Sequence, residues 1–430
     1  MNSPKSPEET PENKPKVFGW PNAAKQNERG KGGPFRRILP GMVTGASDVD
    51  PALVLTATVA GATYQYSLLW AVLLSVPFLL AVFAVSARIG FETRQGLLDL
   101  LRGNYGRSVA LACAGLVVVI NMAMIVADLM AVTDAFSIIL QLPRMFFVMA
   151  VAFSVWYVLI FRDFRKITHV LVLLSLPLFT YVAAAVLARP DWRQVIGHSL
   201  FPTIPHAPGY PAAVVAIFGS LLTPYVLVWQ TSSRREEALA GTHSLGGAEH
   251  HAGTAVTTVL CYCIMVSAAT VLHAPLAEDL TTRMAANALT PAVGPLGTVL
   301  FSFGIIGAGL VALPVLVASM CYSVAEAMGW RSGLNEDPWE AVPFYVLLSG
   351  AVFVAAVLNF IKLNPVTALY WSQVLAGAFT VPILVFILLI SNNRRVMRTA
   401  NSWWQNFWIG AAAGAIIAAG LIVVWWKITG

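Results

Sequence analysis

Apolar residues occur along this chain in long, nearly uninterrupted runs rather than in alternating or amphipathic patterns. A run of about 20 apolar residues is long enough to cross the roughly 30 Å hydrocarbon core of a bilayer as an α-helix. The pattern predicts an all-α polytopic membrane protein with about 11 transmembrane helices. The predicted spans are 38–62, 67–91, 107–140, 144–162, 167–188, 211–232, 252–274, 294–329, 341–361, 365–391 and 404–426.

Two of the predicted helices are interrupted by polar residues and proline. The first contains Asp48, Asp50 and Pro51, and the sixth contains Pro224. Proline lacks a backbone N–H and disfavours helical dihedrals in the preceding residue, so carbonyls near residues 46–50 are expected to lack intrahelical partners. A carboxylate within a membrane helix is costly unless it is paired, which makes it a candidate functional group.

The two interruptions occupy matching places in two sets of five helices. Residues 38–188 form the first set, residues 211–391 the second, and 404–426 an additional helix. Because five is odd, the second set must have the opposite orientation in the membrane. Paired broken helices in inverted repeats indicate a transporter's binding site near the midplane. An ordinary proline kink would explain either interruption but not their matching positions.

Composition and charge support a membrane protein. Hydrophobic residues make up 57%, charged residues only 11%, and the mean hydropathy is +0.72, far from soluble domains. Residues 1–36 are rich in Pro, Lys and Glu and are predicted to form a disordered cytosolic tail, followed by one transporter domain over 37–430.

The distribution of basic residues predicts the orientation. Most of the 27 Lys and Arg residues fall in segments that a cytoplasmic N-terminus would place inside. We therefore expect a multi-pass protein of the inner (plasma) membrane with its C-terminus outside. The net charge of +6 is explained by these segments, so no nucleic-acid partner is implied.

Several segments resemble one known family. The eleven residues Gly-Met-Val-Thr-Gly-Ala-Ser-Asp-Val-Asp-Pro end at Pro51, and Thr-Pro-Tyr centres on Pro224. Together with 61–70, 86–90 and 229–237, they resemble the NRAMP divalent-metal transporters, most closely the NRAMP-related magnesium transporter branch. The resemblance covers roughly residues 36–395. It implies a LeuT-type 5+5 inverted repeat plus one extra helix, with helices 1 and 6 broken.

Two departures from the NRAMP pattern bear on the transported ion. The family's Asp-Pro-Gly-Asn corresponds to the four residues from Asp50 to Leu53, so the resemblance makes Asp50 a metal ligand while Leu53 replaces the ligating Asn. The family's Met-Pro-His corresponds to Thr223, Pro224 and Tyr225. Losing Met removes a soft ligand. Thr223 and the carbonyls around 47–49 and 220–222 are expected to complete the site around Asp50, directly or through water. Such an oxygen-only site suits Mg²⁺, with Mn²⁺ also expected to pass.

Other polar residues are weaker candidates for the metal site. Asp128 resembles the family's acidic helix-3 position; it is expected to be an outer-sphere ligand, or else to form a structural hydrogen bond. Asp48 is expected either to line the access path or to cap a half-helix, and Ser47 to contribute with the carbonyls of 47–49. Gln230 is expected either to approach the ion's hydration shell or to bond across helices, and Gln373 is expected to approach the site.

Two further polar residues complete the set. Asn121 lies on a similar helix face to Asp128 and is a possible ligand. Glu326 is expected to pair with Arg331 at the inner end of the eighth helix, in preference to forming part of an inner gate.

These features predict a transporter or uniporter that imports a divalent cation by alternating access, without a cofactor or an obligatory protein partner, and monomeric. Tyr225 cannot readily cycle protons at neutral pH, and the ninth helix has no basic residue in its interior, so obligatory proton coupling is not expected. An enzyme is disfavoured because no nucleophile–base set is evident.

Three alternatives remain open. The first is a proton-coupled symporter of Mn²⁺ or transition metals, as in NRAMP proteins. The second is a LeuT-fold carrier of an organic amine or amino acid, although Asp48 and Asp50 would repel a substrate carboxylate. The third is a sensor or scaffold that transports nothing.

Overall fold

All regular secondary structure in the residues that the structure describes is helical. The computed structural model describes residues 49–161, 173, 176–205, 207, 209–239, 247–273, 280–334, 336–361 and 363–429. The helices in these ranges are α1 Pro51–Tyr64, α2 Leu69–Thr93, α3 Leu97–Tyr105, α4 Arg107–Leu140, α5 Met145–Phe161, α6 Thr180–Leu187, α7 Trp192–Leu200, α8 Tyr210–Leu221, α9 Pro224–Leu239, α10 Gly247–Val271, α11 Thr282–Ala286, α12 Thr290–Val293, α13 Gly297–Met328, α14 Val342–Leu358, α15 Pro365–Ser391 and α16 Trp403–Thr429. Four short 3-10 turns, Gln65–Leu68, Leu176–Phe179, Asn287–Leu289 and Gly294–Leu296, join some of them.

The predicted spans correspond to helices wherever the chain is described. Seven helical stretches of the described chain are long and apolar enough to cross a membrane, and three shorter apolar helices accompany them. The first two predicted spans form one continuous helical stretch, Pro51–Thr93. Within this stretch the chain turns at Gln65, whose backbone has φ 55°. The tail 1–36 and the beginning of the first span lie outside the described residues.

The long helices pack in two groups. In the first group, α1 and α2 pack against α8, α9 and α10. In the second group, α4, α5, α13 and α14 pack on one another, with α4 against α13 as the most extensive pair. α15 contacts both groups, while α16 packs on α2 and α15. The helices with the two predicted breaks therefore belong to the same group.

The predicted break in the sixth span lies at Leu222 and Thr223. Leu222 has φ −107° and ψ 46°, which is not helical. Pro224 cannot donate to the carbonyl of Ser220, so the helix cannot continue with its usual hydrogen bonds. The carbonyl of Leu222 instead accepts a hydrogen bond from Thr380 Oγ1 of α15 at 3.1 Å.

A pair of glycines brings α15 against α8 just before this break. A Cβ atom on Gly219 would lie 2.1 Å from the carbonyl oxygen of Gln373, and one on Gly377 would lie 2.3 Å from that of Val215. Only glycine permits this approach of the two backbones. The contact places Gln373 level with the end of α8.

Candidate cation site

Asp50 lies at the start of α1 as its N-cap. Its backbone is extended, with φ −87° and ψ 166°, and its Oδ1 accepts a hydrogen bond from the Leu53 N–H at 2.7 Å. The side chain is buried, and the positive end of the helix dipole stabilises its negative charge. Pro51 occupies the first helical position, where its missing N–H has no cost.

This geometry corrects one expectation about the first break. The carbonyl of Asp50 is not free, because it accepts a hydrogen bond from the Val54 N–H at 3.3 Å. Leu53, which replaces the family's ligating residue, is fully buried in the apolar core. It contributes to this region through its backbone N–H rather than its side chain.

Tyr225 connects the two interrupted segments. Its hydroxyl donates a hydrogen bond to Asp50 Oδ2 at 3.1 Å, so the second residue of α9 contacts the N-cap of α1. The carbonyl of Tyr225 accepts a hydrogen bond from Ser319 Oγ of α13 at 2.9 Å. The predicted sites at the two breaks are therefore brought together.

Asp128 lies near this pair, within α4. It is fully buried, and neither carboxylate oxygen has a hydrogen-bond partner among the described residues. The structural hydrogen bond considered for this side chain is therefore not found in the described part of the chain. α4 packs against α1, and Val132, one turn after Asp128, approaches the same point of Gly309 in α13 as Pro51 does, so Asp128 and Asp50 lie in neighbouring parts of the bundle. Burial disfavours the charged form of both carboxyl groups, and a cation bound between them would offset that cost.

The structure gives no contact with Asp50 for three other candidate ligands, Thr223, Gln373 and Gln230, among the described residues. Thr223 lies buried in the break of the sixth span, and its carbonyl accepts from the Val226 N–H at 3.2 Å. Gln373 is fully buried, and its amide oxygen and nitrogen both lack hydrogen-bond partners among the described residues. Gln230 is half-buried, and its Oε1 also lacks one. It lies about 7.5 Å further along α9 than Tyr225.

Asn121 has a structural contact. Its Nδ2 donates to the carbonyl of Leu316 in α13 at 3.2 Å, while its Oδ1 has no partner in the described chain. The contact joins the two most extensively packed helices. Asp48 and Ser47 lie outside the described residues, and their predicted roles stay predictions.

The prediction for Glu326 is wrong. Arg331 pairs instead with Glu336 and Glu340, at 2.7 and 2.6 Å. The Glu326 carboxylate is fully buried and accepts from Ser232 Oγ of α9 at 2.7 Å and from the N–H of Leu98 in α3 at 3.2 Å. The cause is the close approach of α3 and α9 to the end of α13, which brings donors nearer than Arg331.

Arg235 completes this cluster, which we call the Glu326 clasp and define as Glu326, Ser232, Arg235, Leu98 and Asp99. Arg235 Nη1 lies 3.5 Å from Glu326 Oε1 and 3.5 Å from Asp99 Oδ2. Burial is the main cause that raises the pKa of Asp99, while the two arginines Arg235 and Arg102 oppose that rise. The clasp joins α9 of the first group to α13 of the second.

Sequence reasoning missed two residues beside the predicted site. One is Tyr225 as a partner of Asp50, because the spacing of two breaks does not reveal which side chains meet across them. The other is Asn359, whose Nδ2 donates to the carbonyl of Val126 at 3.1 Å, two residues before Asp128. An amide side chain inside the ninth predicted span, 341–361, is the feature of the sequence that could have indicated a polar contact by Asn359.

The site has few charged groups. Among the described residues, no three His, Cys, Asp or Glu side chains form a cluster that could hold a metal ion. The described protein atoms thus offer two carboxylates, a phenol and amide or hydroxyl oxygens. Such a donor set suits an ion that retains much of its own water.

Two groups of helices, one of which carries the broken helices, define a LeuT-type membrane transporter fold. The structure is similar to that of a mutant of the Eremococcus coleocola manganese transporter, with a TM-score of 0.70 and 17% identity over 92% of this chain and 88% of that one. It is also similar to MhsT in complex with L-phenylalanine, with a TM-score of 0.52 and 14% identity over 91% and 99% of the two chains. At these identities the likeness shows the fold.

Sequence comparison identifies the family. Residues 41–426 match the family described as natural resistance-associated macrophage protein-like, so the chain belongs to the Nramp family. Relatives include the divalent metal cation transporters MntH of Deinococcus radiodurans, 24% identical over 94% of this chain and 93% of the relative, and of Granulibacter bethesdensis, 22% identical over 88% and 85%. The NRAMP resemblance and the LeuT-type fold are thereby confirmed, while the magnesium branch stays a prediction.

Proposed function

We propose that this protein imports a divalent cation across the membrane by alternating access, with Asp50 as the central ligand. The observation that carries this proposal is the buried Asp128 carboxylate, which has no hydrogen-bond partner in the described chain and lies in α4, a helix that packs against α1 and its N-cap Asp50. An unpaired carboxylate at this depth is costly, and a passing cation would neutralise it. Relatives named as divalent metal cation transporters support the same class of substrate.

Mg²⁺ is the favoured ion, and Mn²⁺ is expected to be carried as well. Thr223 stands where the family pattern has Met, so the site offers oxygen atoms without a soft thioether. Mg²⁺ sheds its waters reluctantly and is usually held through one or two carboxylates. Asp50 as a direct ligand and Asp128 as an outer-sphere ligand fit that preference, and we propose that the buried Gln373 amide, which has no partner among the described residues, contacts the hydration shell.

Uptake does not require proton coupling in this proposal. The residue beside Pro224 is a tyrosine, which ordinarily keeps its proton at neutral pH, and Val342–Leu358 contains no Arg or Lys. An inside-negative potential favours entry of a doubly charged ion by about 4.6 kcal/mol per 100 mV. That driving force is sufficient for net import.

The two packing groups supply the moving parts for alternating access. The first group contains both broken helices, and the Glu326 clasp joins it to the second group at one end. Release of the clasp would open that end. We further propose a monomer in the plasma membrane, with its N-terminus in the cytosol, its C-terminus outside and residues 37–430 as one transport domain.

Two other functions have particular support. A proton-coupled Mn²⁺ symporter is favoured by the fold shared with the Eremococcus coleocola manganese transporter. A carrier of an organic amine or amino acid is favoured by the likeness to MhsT, which binds L-phenylalanine. The paired carboxylates of Asp50 and Asp128 count against a substrate that carries its own carboxylate.

Flux into proteoliposomes tests these functions together. Purified protein is reconstituted with a pH dye inside, a potassium–valinomycin potential is applied, and Mg²⁺ or Mn²⁺ is added outside. We expect potential-driven Mg²⁺ entry without acidification. Mn²⁺ entry with acidification would support the symporter instead, and no flux of either ion would contradict the proposal.

Asp50→Ala tests the ligand, with Asp191→Asn as the matched control. Asp191 is an exposed N-cap of α7, and its side chain accepts hydrogen bonds only from Arg193 and Gln194 of its own turn among the described residues, so its substitution removes a carboxylate without changing a contact of Asp50. Asp50→Ala is expected to abolish flux while the protein stays monodisperse on gel filtration. Flux retained in Asp50→Ala would refute the assignment of the site.

A further inference from the structure

Both oxygens of the Asp50 carboxylate already accept a hydrogen bond from the protein. The Leu53 N–H donates to Oδ1 at 2.7 Å, and the Tyr225 hydroxyl donates to Oδ2 at 3.1 Å. The first donor belongs to the same helix as Asp50, whereas the second comes from α9. A carboxylate has about four lone-pair sites, so roughly one site on each oxygen stays available for an ion or its waters.

The position of the Tyr225 hydroxyl is fixed by the second packing group. Its side chain is 4% exposed and belongs to an apolar cluster with residues of α4, α13 and α14. Ser319 Oγ of α13 donates to its carbonyl at 2.9 Å. Since Asp50 lies on the first group, the Tyr225 hydroxyl links the Asp50 carboxylate to the side chains of the second group.

We propose that Tyr225 is a positioning residue that makes Asp50 selective for a hydrated divalent ion over Ca²⁺. This inference rests on the proposed function of cation transport. A hydrated ion needs one acceptor site on each oxygen, which the two protein donors leave available. Ca²⁺ often binds both oxygens of one carboxylate directly, which brings the ion closer to both donor hydrogens than an ion that contacts one of the oxygens through a retained water.

Replacing Tyr225 by Phe removes the hydroxyl and keeps the ring. Without the hydroxyl the carboxylate is no longer held in the orientation that fits the hydrated ion, so we expect the KM for Mg²⁺ to rise about tenfold with Vmax unchanged. Freed from this donor, Oδ2 becomes a better direct ligand, so Ca²⁺ should inhibit Mg²⁺ uptake more strongly relative to the KM for Mg²⁺. A role in packing alone would lower Vmax or protein yield without changing this ratio.

The experiment measures Mg²⁺ uptake into proteoliposomes and its inhibition by Ca²⁺ for the wild type, Tyr225→Phe and Tyr345→Phe. Tyr345→Phe is the matched control, because the Tyr345 hydroxyl donates to the carbonyl of Glu336 at 2.9 Å, in the connection before α14. We expect the wild type and the control to agree and Tyr225→Phe to differ in both KM and inhibition ratio.

Failure of the two proposals can be distinguished. A wild type that transports neither Mg²⁺ nor Mn²⁺ contradicts the proposed function and this inference with it. A wild type that transports Mg²⁺, with Tyr225→Phe equal to Tyr345→Phe, overturns only the role of Tyr225. If Tyr225→Phe does not fold, Ser319→Ala loosens the same turn and is expected to shift the ratio in the same direction; an unchanged ratio overturns the inference.

Discussion

Substitution of Asp128 by Asn is expected to stabilise the ion-free protein and to abolish its transport. The carboxylate is fully buried and lacks a hydrogen-bond partner among the described residues. Asparagine has nearly the same shape without the charge. The structure therefore predicts opposite effects on stability and on function for one substitution.

The size of the gain follows from the cost of the unsatisfied group. Burying a polar group without a partner costs about 1–3 kcal/mol, and more when it is charged. The amide that Asp128→Asn introduces stays unsatisfied as well and retains part of that cost. We expect a net gain of about 1 kcal/mol in the free energy of unfolding.

Thermal unfolding in detergent with EDTA, followed by tryptophan fluorescence, measures this gain. Mg²⁺ at a hundred times its Kd should stabilise the wild type by about 2.7 kcal/mol, and it should stabilise Asp128→Asn much less. Asp134→Asn is the matched control, since Asp134 lies on the same helix but is only half-buried. A lower melting temperature for Asp128→Asn in EDTA, or a full Mg²⁺ response, would refute the reasoning.

Three further substitutions test other parts of the structure. Glu326→Ala leaves Arg235 without its buried partner and should lower the free energy of unfolding by about 3 kcal/mol. Loss of the exposed Glu340 should have little effect on thermal unfolding. Equal melting temperatures for the two variants would contradict a buried clasp. Gly219→Ala should prevent α15 from packing on α8 and abolish flux. Gly115 has open space around it, so Gly115→Ala should be tolerated. An active Gly219→Ala protein would contradict the close approach of the α8 and α15 backbones. Thr223→Met adds a thioether, which binds soft ions such as Cd²⁺ better than an alcohol does. The Cd²⁺ concentration that inhibits Mg²⁺ uptake by half should therefore fall. An unchanged concentration would mean that residue 223 does not contact the ion.

The helices were predictable because the membrane imposes a simple rule on sequence. Each apolar run long enough to cross a bilayer corresponds to a helix where the chain is described, and Pro224 marks the break in the sixth span. Proline acts locally, through its missing N–H, so its effect can be predicted from the sequence alone. The first break was predicted less well, because Pro51 begins a helix and the Asp50 carbonyl has a partner.

Contacts between distant segments could not be predicted in the same way. Glu326 has Arg331 nearby in the sequence, but the packing of α3 and α9 on α13 supplies buried donors that outcompete it. An exposed ion pair contributes little, so sequence proximity is a weak guide to the partner of a buried carboxylate. The partner depends on helix rotation and depth, which a run of apolar residues leaves undetermined.

The same limit explains why the sequence indicates Asp50 and Asp128 as site carboxylates but does not reveal that Tyr225 contacts Asp50. Carboxylates in apolar helices stand out in a sequence because their burial is costly. A tyrosine in such a helix is unremarkable until its hydroxyl is seen at 3.1 Å from Asp50 Oδ2. The carboxylates that attract an ion can thus be found from their positions in the sequence. The neutral donor that would determine how the ion is held can be found only from the structure.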